Sequence, residues 1–159
     1  MMTSTSRASA IPSARARLRL RDGLEALGRF PLSVLQLLFR LAVGSVFLKA
    51  GMTKIASWPL TVQLFQDEYQ VPGLPAETAA LMATTFELGC SALLIAGLAT
   101  RLATLPLVGM IAVIQLFVYP GAWSEHLVWG SILAFLLTRG PGPLSLDRLI
   151  GLDGESRAR

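Results

Sequence analysis

Cysteine, histidine and charged residues are all scarce in this sequence of 159 residues. Its one cysteine, Cys90, excludes an internal disulfide, a dithiol redox pair and a cysteine-built metal site. One histidine cannot form a facing pair of haem ligands, and no nucleotide-binding loop is present, so we predict neither a metal site nor an electron carrier. Charged residues make up 15%, against about 25% in typical soluble domains, so the composition is not that of an ordinary soluble protein.

The few charges are concentrated near the ends of the chain. Six arginines fall within residues 1–29, and between residues 31 and 138 only nine charged residues occur. These nine are Arg40, Lys49, Lys54, Asp67, Glu68, Glu77, Glu87, Arg101 and Glu125. An apolar middle with basic ends predicts an integral membrane protein, and contact with anionic lipid headgroups explains the net charge of +4 more simply than nucleic acid does.

Four apolar segments occupy residues 31–53, 78–99, 102–119 and 123–138. A membrane-spanning helix needs about 20 residues, which the first three segments meet and the fourth approaches only if its tryptophans are included. We therefore predict an all-α fold, an antiparallel four-helix transmembrane bundle over residues 30–139. Residues 1–29 form a basic cytoplasmic tail, either disordered or lying as a helix on the membrane, and residues 140–159 form a second cytoplasmic tail.

The distribution of basic residues predicts the orientation. An even number of spans puts both termini on one side, and that side then carries eleven of the fourteen Lys and Arg residues. An excess of basic residues marks the cytoplasmic side, so we expect both termini in the cytoplasm. In the outer loop, residues 57–76, the sequence Ser57-Trp58-Pro59 is typical of a helix start, and the alternative is an irregular loop.

One stripe of the first segment contains Arg40, Gly44, Phe47, Gly51 and Lys54. At 100° per residue, all of them lie within about 40° of Arg40 around the helix. The two glycines are predicted helix-packing positions, because small residues let helices approach closely. The two charges on the same stripe make Arg40 and Lys54 candidate ligand-binding residues.

An arginine at membrane depth needs a partner, since an unpaired one costs at least about 2.5 kcal/mol. Glu87 in the second segment lies about nine residues from one end, as Arg40 does in the first, so we predict an Arg40–Glu87 pair. The pair is either a structural staple between helices or part of a ligand or proton site, and the third alternative is that the two do not touch. Glu87 is therefore also a candidate ligand-binding residue.

Two further polar residues lie near the outer end of the bundle. His126, the only histidine, lies beside Tyr119, Trp123 and Trp129, where it either binds a metal or a quinone carbonyl or belongs to an interfacial aromatic belt. Gln115 lies in an otherwise apolar segment, where a hydrogen bond between helices is the simplest role. Both are candidate ligand-binding residues, and no catalytic residue is identified.

The chain resembles the DoxX family of small membrane proteins over about residues 38–150. The first-helix stripe carries the resemblance, together with Glu87-Leu88-Gly89, Gly97-Leu98-x-Thr100-Arg101, Gly140-Pro141-Gly142 and Ser145-Leu146-Asp147. The family pattern marks Arg40, Gly51, Lys54, Glu87, Arg101 and Asp147 without saying what they bind. The resemblance implies a four-helix bundle in a bacterial cytoplasmic (inner) membrane.

The resemblance also implies a role near redox chemistry. Related members are subunits of a thiosulfate:quinone oxidoreductase, and others are linked to thiol, oxidative-stress or metal-handling systems. We therefore expect an accessory subunit of a membrane redox system, with quinone as a candidate cofactor and with redox proteins or a second copy of the chain as candidate partners. The alternatives are a non-catalytic anchor that docks partners through residues 57–76, and a small transporter unit.

Overall fold

The computed structural model describes residue 19, residues 21–25 and residues 28–152, and the chain divides into two compact units, Met1–Pro31 and Leu32–Arg159. In the first unit, residues 21–25 are helical and exposed. Most of the predicted tail at residues 1–29, and residues 153–159 of the second predicted tail, lie outside the described residues.

Every regular element in the described part of the second unit is helical, which confirms the all-α prediction. The elements are α1 (Leu32–Ala56), α2 (Trp58–Leu64), α3 (Ala76–Ala96), α4 (Thr100–Val113), α5 (Trp123–Arg139) and α6 (Leu146–Leu149). Two short π-helical stretches extend α2 and α4, at Phe65–Tyr69 and Ile114–Val118. Gly97 ends α3 in the left-handed conformation that glycine adopts readily, with φ of 70°.

Three helical stretches among the described residues are long and apolar enough to cross a membrane: Leu32–Ala56, Ala76–Ala96 and Thr100–Val118. Helix α5 corresponds to the fourth predicted segment and has 17 residues, which makes it shorter than these three. Each of the four apolar segments predicted from the sequence thus corresponds to one continuous helical stretch, and the fourth stretch is the shortest when Ile114–Val118 is counted with α4.

The four longer helices pack in a closed order: α1 against α3, α3 against α4, α4 against α5, and α5 against α1. Aliphatic and aromatic side chains fill the centre, including Val43, Phe47, Leu94, Leu107 and Leu133. Buried polar groups are frequent as well, while many large apolar side chains point outward. This distribution suits a molecule whose surrounding solvent is lipid.

Residues 57–76 are largely helical. Helix α2 starts at Trp58 with Pro59 in its first turn, as the sequence predicts, although the Ser57 side chain makes no capping hydrogen bond. Phe65 is buried against Ala79 and Ala80 of α3. The segment is therefore packed onto α3, and the alternative of an irregular loop is wrong for this part of the chain.

The segment after α5 folds back onto the α3–α4 turn. Gly140 ends α5, and Ser145 caps the single turn of α6 by accepting a hydrogen bond from the Arg148 amide. The Asp147 amide donates to the Gly97 carbonyl oxygen at 2.9 Å. The chain after α5 thus contains a single helical turn, Leu146–Leu149, that is bonded to the end of α3.

Candidate ligand-binding site

Lys54 and Glu87 form an ion pair between α1 and α3, in which Glu87 is buried and the Lys54 side chain is 19% exposed. The Lys54 Nζ donates to Glu87 Oε1 at 2.7 Å and to Oε2 at 2.8 Å. Glu87 is 4% exposed, so its carboxylate is almost completely withdrawn from solvent. Its charge is balanced by an ammonium group that contacts both oxygens, the arrangement that a buried carboxylate requires.

Close contact between α1 and α3 positions this pair. Gly51 lies one turn before Lys54, and a Cβ built there would come 2.8 Å from the Leu88 side chain. Gly44 is equally tight against Ile95, again at 2.8 Å. Both glycines therefore lie where the two helices touch, as small residues do in close helix pairs.

The predicted Arg40–Glu87 pair is wrong, because Glu87 is held by Lys54. Gly51 faces Leu88, and Arg40 lies beside Gly97 at the far end of α3. At 1.5 Å per residue, Arg40 is about 20 Å from Lys54 along the α1 axis. The prediction failed because it aligned the ends of the two apolar segments, whereas α1 is shifted along α3 by several turns.

Arg40 instead joins a second cluster, which we call the Arg40 cluster: Arg40, Gly97, Leu144 and Asp147. The Arg40 side chain is 1% exposed, and its Nη2 donates to the Leu144 carbonyl oxygen. Its Nε and Nη1 have no hydrogen-bond partner among the described residues. The nearby Asp147 carboxylate accepts from the amides of Ala99 at 2.6 Å and Thr100 at 2.9 Å, and so caps the start of α4.

Gln36 is a buried polar residue that the sequence reasoning missed. Its Nε2 donates to the carbonyl oxygens of Arg139 at 3.3 Å and Gly140 at 3.2 Å, which ties α1 to the end of α5. The signal was present in the sequence, since Gln36 lies one turn before Arg40 and therefore on the same stripe of α1. The Arg40 cluster and Gln36 thus fasten the chain after α5 to α1.

An apolar cavity of about 500 Å³ lies beside the Lys54–Glu87 pair. Carbon atoms make up nearly all of its wall, and both members of the ion pair line it. The other lining groups come from residues 65–74, α3, α4 and residues 114–119. They include Phe65, Phe86, Met110 and Val113. Such a space, apolar with a few polar groups, is typical of small-molecule sites.

Irregularities in α4 shape one wall of this cavity. Pro106 lies inside α4, where it has no amide hydrogen to donate to the preceding turn. The π-helical stretch Ile114–Val118 widens the helix about two to three turns further on. Pro106, Ile114 and Val118 all line the cavity, so both irregular places in this helical stretch contribute to its wall.

Tyr119, which lines the cavity, is hydrogen-bonded to the exposed Glu68. The Tyr119 hydroxyl donates to Glu68 Oε1 at 2.5 Å, and the rings of Tyr69 and Tyr119 meet edge to face with centroids 5.9 Å apart. The hydrogen bond to the Glu68 carboxylate raises the pKa of Tyr119 above its ordinary value of 10, with smaller contributions from burial and from Tyr69. This hydrogen bond joins the π-helical stretch Phe65–Tyr69 to the residue that follows the stretch Ile114–Val118.

His126 and Gln115 contact each other outside the cavity. The His126 Nδ1 lies 2.6 Å from Gln115 Oε1, and Gln115 Nε2 donates to the Pro120 carbonyl oxygen at 2.7 Å. His126 also packs against the Trp129 ring, with centroids 5.8 Å apart. Of the five candidate ligand-binding residues, the structure therefore brings Lys54 and Glu87 to the cavity and places Arg40, Gln115 and His126 elsewhere.

Apolar helices long enough to cross a bilayer, with an ion pair held between two of them, define a small helical membrane protein. The profile of the DoxX family matches residues 35–120, more than half of the chain, and the protein belongs to that family. The match confirms the resemblance and ends before the Gly140 and Asp147 motifs. No curated protein and no solved structure matches the chain.

Proposed function

We propose that this DoxX protein is an accessory component of a membrane redox system, and that its cavity binds a small lipid-soluble molecule, with a quinone as the candidate. One observation carries the proposal: the Lys54–Glu87 pair forms a polar point on the wall of a cavity of about 500 Å³ that is otherwise apolar. A quinone ring with an apolar tail has the matching distribution of polar and apolar atoms.

The ion pair has hydrogen-bonding capacity left for a ligand. An ammonium group has three hydrogens, and Glu87 accepts two of those of Lys54, so one remains to donate to a carbonyl oxygen. Each carboxylate oxygen of Glu87 accepts one hydrogen bond from Lys54 and keeps a lone pair that can accept from a hydroxyl. The pair can therefore bind a carbonyl and a hydroxyl, the polar groups of a quinone and of its reduced form.

An accessory role fits the residues that the chain offers. With a single cysteine and a single histidine, it provides neither a dithiol nor a pair of histidines to carry electrons. We therefore propose that a membrane redox partner protein exchanges electrons with the bound molecule. The cavity holds that molecule where Lys54 and Glu87 can bind its polar end.

We further propose that α1, α3, α4 and α5 form a four-helix bundle across a bacterial cytoplasmic membrane, with both termini in the cytoplasm. The closed packing order of these helices and the eleven basic residues assigned to the terminal side support this arrangement. Reporter fusions that are active only in the cytoplasm, placed at each terminus, should both be active. One active and one inactive fusion would contradict the orientation.

The binding proposal is tested by extracting the molecules that remain bound after purification in a mild detergent. Mass spectrometry of an organic extract should find a quinone near one molecule per wild-type chain, and much less in Lys54→Met and Glu87→Gln. The matched controls are Lys49→Met and Glu77→Gln, which remove an exposed lysine from α1 and an exposed carboxylate from α3. Both controls should retain the wild-type amount.

Equal retention by all four variants would contradict a role for the ion pair in binding. A wild-type extract with phospholipid and no quinone would contradict the quinone assignment. Co-purification from native membranes tests the partner: a redox protein should accompany the wild type. Its absence would contradict the accessory role.

A further inference from the structure

Part of the cavity lining on α3 and α4 is exposed on the surface of the molecule. Met82 of α3 and Gly109 of α4 both line it and are both exposed on the outside of the molecule. Gly109 has no side chain, and a Cβ built there meets nothing within 4 Å. The exposed edge of α4 at this level therefore leaves space beside the cavity.

Residues of the segment 65–74 form another side of the cavity. Phe65 is 6% exposed, and Tyr69 packs against it and against Tyr119. The hydrogen bond from Tyr119 to Glu68 holds the π-helical stretch of residues 65–69 against the end of α4. Leu74 and Tyr119 on this side also line the cavity and are 42% and 43% exposed, so the lining is exposed here as well as at Met82 and Gly109.

The exposed lining at Met82 and Gly109 lies at the depth of lipid acyl chains. Gly109 is in the middle of the apolar stretch Thr100–Val118, about 13 Å from either end at 1.5 Å per residue. A hydrocarbon core is about 30 Å thick, so this position is close to its centre. Leu81 and Leu105, beside this exposed lining in sequence, are 57% and 52% exposed, as lipid-facing residues are.

We propose that the gap between Met82 and Gly109 is a lateral portal through which the ligand enters from the bilayer. This inference depends on the proposed binding of a lipid-soluble molecule in the cavity. The ligand class is an amphiphile dissolved in the membrane, with a hydrogen-bond-accepting head and a long apolar tail. The head reaches the free hydrogen of the Lys54 ammonium, and the tail passes out between α3 and α4 into the acyl chains.

Gly109 is the specificity-determining position of this portal. Its lack of a side chain leaves room for a tail, and a large side chain can be introduced there because no neighbour lies within 4 Å of its Cβ position. Gly89 of α3 is a matched control, since it is exposed, equally free of neighbours and not part of the cavity lining. Gly109→Phe should block the portal, whereas Gly89→Phe should leave it open.

The test uses the full chain in lipid nanodiscs and decylubiquinone with a photoreactive diazirine at the end of its tail as the probe. After irradiation, mass spectrometry should locate saturable labels on peptides around residues 82 and 109. Gly109→Phe should reduce this labelling about tenfold, equivalent to about 1.4 kcal/mol of binding free energy, with no change in Gly89→Phe. If Gly109→Phe does not fold, Met82→Trp should block the portal from the α3 side with the same result.

The outcomes separate this inference from the proposed function. Saturable labelling that persists in Gly109→Phe, or that falls on residues 71–76, would overturn the portal and leave ligand binding intact. The absence of saturable labelling in the wild type would overturn both. A decrease in labelling in both Lys54→Met and Gly109→Phe would support both the portal and the proposed ligand binding.

Discussion

Gly97 leaves the space that the guanidinium group of Arg40 occupies. A Cβ at Gly97 would collide with Arg40 Nη1 and would lie 2.7 Å from the Ser145 Cβ, and Gly97 has a positive φ of 70°. Any side chain at this position must therefore displace a buried charge from its site and also adopt an unfavourable backbone conformation. The glycine that ends α3 and the arginine of α1 depend on each other.

Gly97→Ala should accordingly be strongly destabilising. The left-handed backbone adds about 1 kcal/mol for a residue with a Cβ, and overpacking adds about 1–3 kcal/mol. Thermal unfolding in detergent, followed by tryptophan fluorescence, should show a clear fall in Tm. Gly89→Ala is the control, because its Cβ has no neighbour within 4 Å, and its Tm should stay near that of the wild type. Equal Tm values for the two variants would contradict the close contact.

Loss of the Asp147 carboxylate should weaken the start of α4. Two backbone amides, those of Ala99 and Thr100, donate to it, and removing such a cap costs about 0.5–2 kcal/mol. Asp147→Ala should therefore lower the free energy of unfolding and speed hydrogen exchange at those two amides. Glu125→Ala, at an exposed carboxylate of α5, should change stability by less than about 0.5 kcal/mol. Unchanged exchange at Ala99 and Thr100 would contradict the capping role.

Lys54 and Glu87 should show strong energetic coupling. Loss of Lys54 costs about 3–5 kcal/mol, because the buried Glu87 carboxylate is left unpaired, and loss of Glu87 costs less, because Lys54 is partly exposed. Unfolding in mixed micelles of increasing SDS content should show Lys54→Met strongly destabilised and Glu87→Gln destabilised by a smaller amount, and the double variant should lose less than the sum of the two. Arg40→Met combined with Glu87→Gln should be additive within about 0.5 kcal/mol, because those residues do not touch. Additive effects for Lys54 and Glu87, together with coupling between Arg40 and Glu87, would instead support the Arg40–Glu87 pair.

The contact of Tyr119 with Glu68 should make tyrosine ionisation sensitive to residue 68. The chain has two tyrosines, so absorbance near 295 nm reports only Tyr69 and Tyr119. Because hydrogen bonding to Glu68 raises the pKa of Tyr119 above 10, Glu68→Gln should move one of the two ionisations to lower pH. Gln63→Glu, about one turn before Glu68, is the control and should leave both tyrosine ionisations unchanged. Identical titrations of the wild type and Glu68→Gln would contradict the hydrogen bond.

The sign of the accompanying stability change follows from the same pKa. A group whose pKa is higher in the folded than in the unfolded protein stabilises the fold below its unfolded value, and that contribution disappears as the pH rises through the folded value. Stability due to the Tyr119–Glu68 contact should therefore be complete below about pH 10 and fall above it. Tyr119→Phe should remove this dependence on pH.

Helical periodicity predicted one face of α1 correctly. Arg40, Gly44, Phe47 and Gly51 are all buried in the structure, and Lys54 on the same stripe reaches Glu87. The start of α2 at Trp58 also followed from local chemistry, since Pro59 suits a first helical turn. These features depend on spacing and backbone preference within a few residues, which the sequence contains directly.

The pairing of charges and the cavity could not be predicted in the same way. The partner of Glu87 depends on how far α1 slides along α3, and the lengths of apolar segments do not fix that offset. The wall of the cavity includes the π-helical stretch at residues 114–118, and no pattern in the sequence predicted that geometry. The charge pairing and the cavity both depend on packing between residues that are distant in sequence. The contact of Asp147 with the α3–α4 turn depends on such packing too.

The cap that Asp147 provides for α4 has a consequence for the order in which the molecule is assembled. The carboxylate lies 47 residues after the Thr100 amide that it binds, so it is translated only after α5. At the usual pace of synthesis, the α3–α4 hairpin waits about 2–10 seconds for its cap. A chain interrupted after α5 would have the start of α4 without its Asp147 cap and Arg40 without the Leu144 carbonyl, so the last segment completes contacts of two earlier helices.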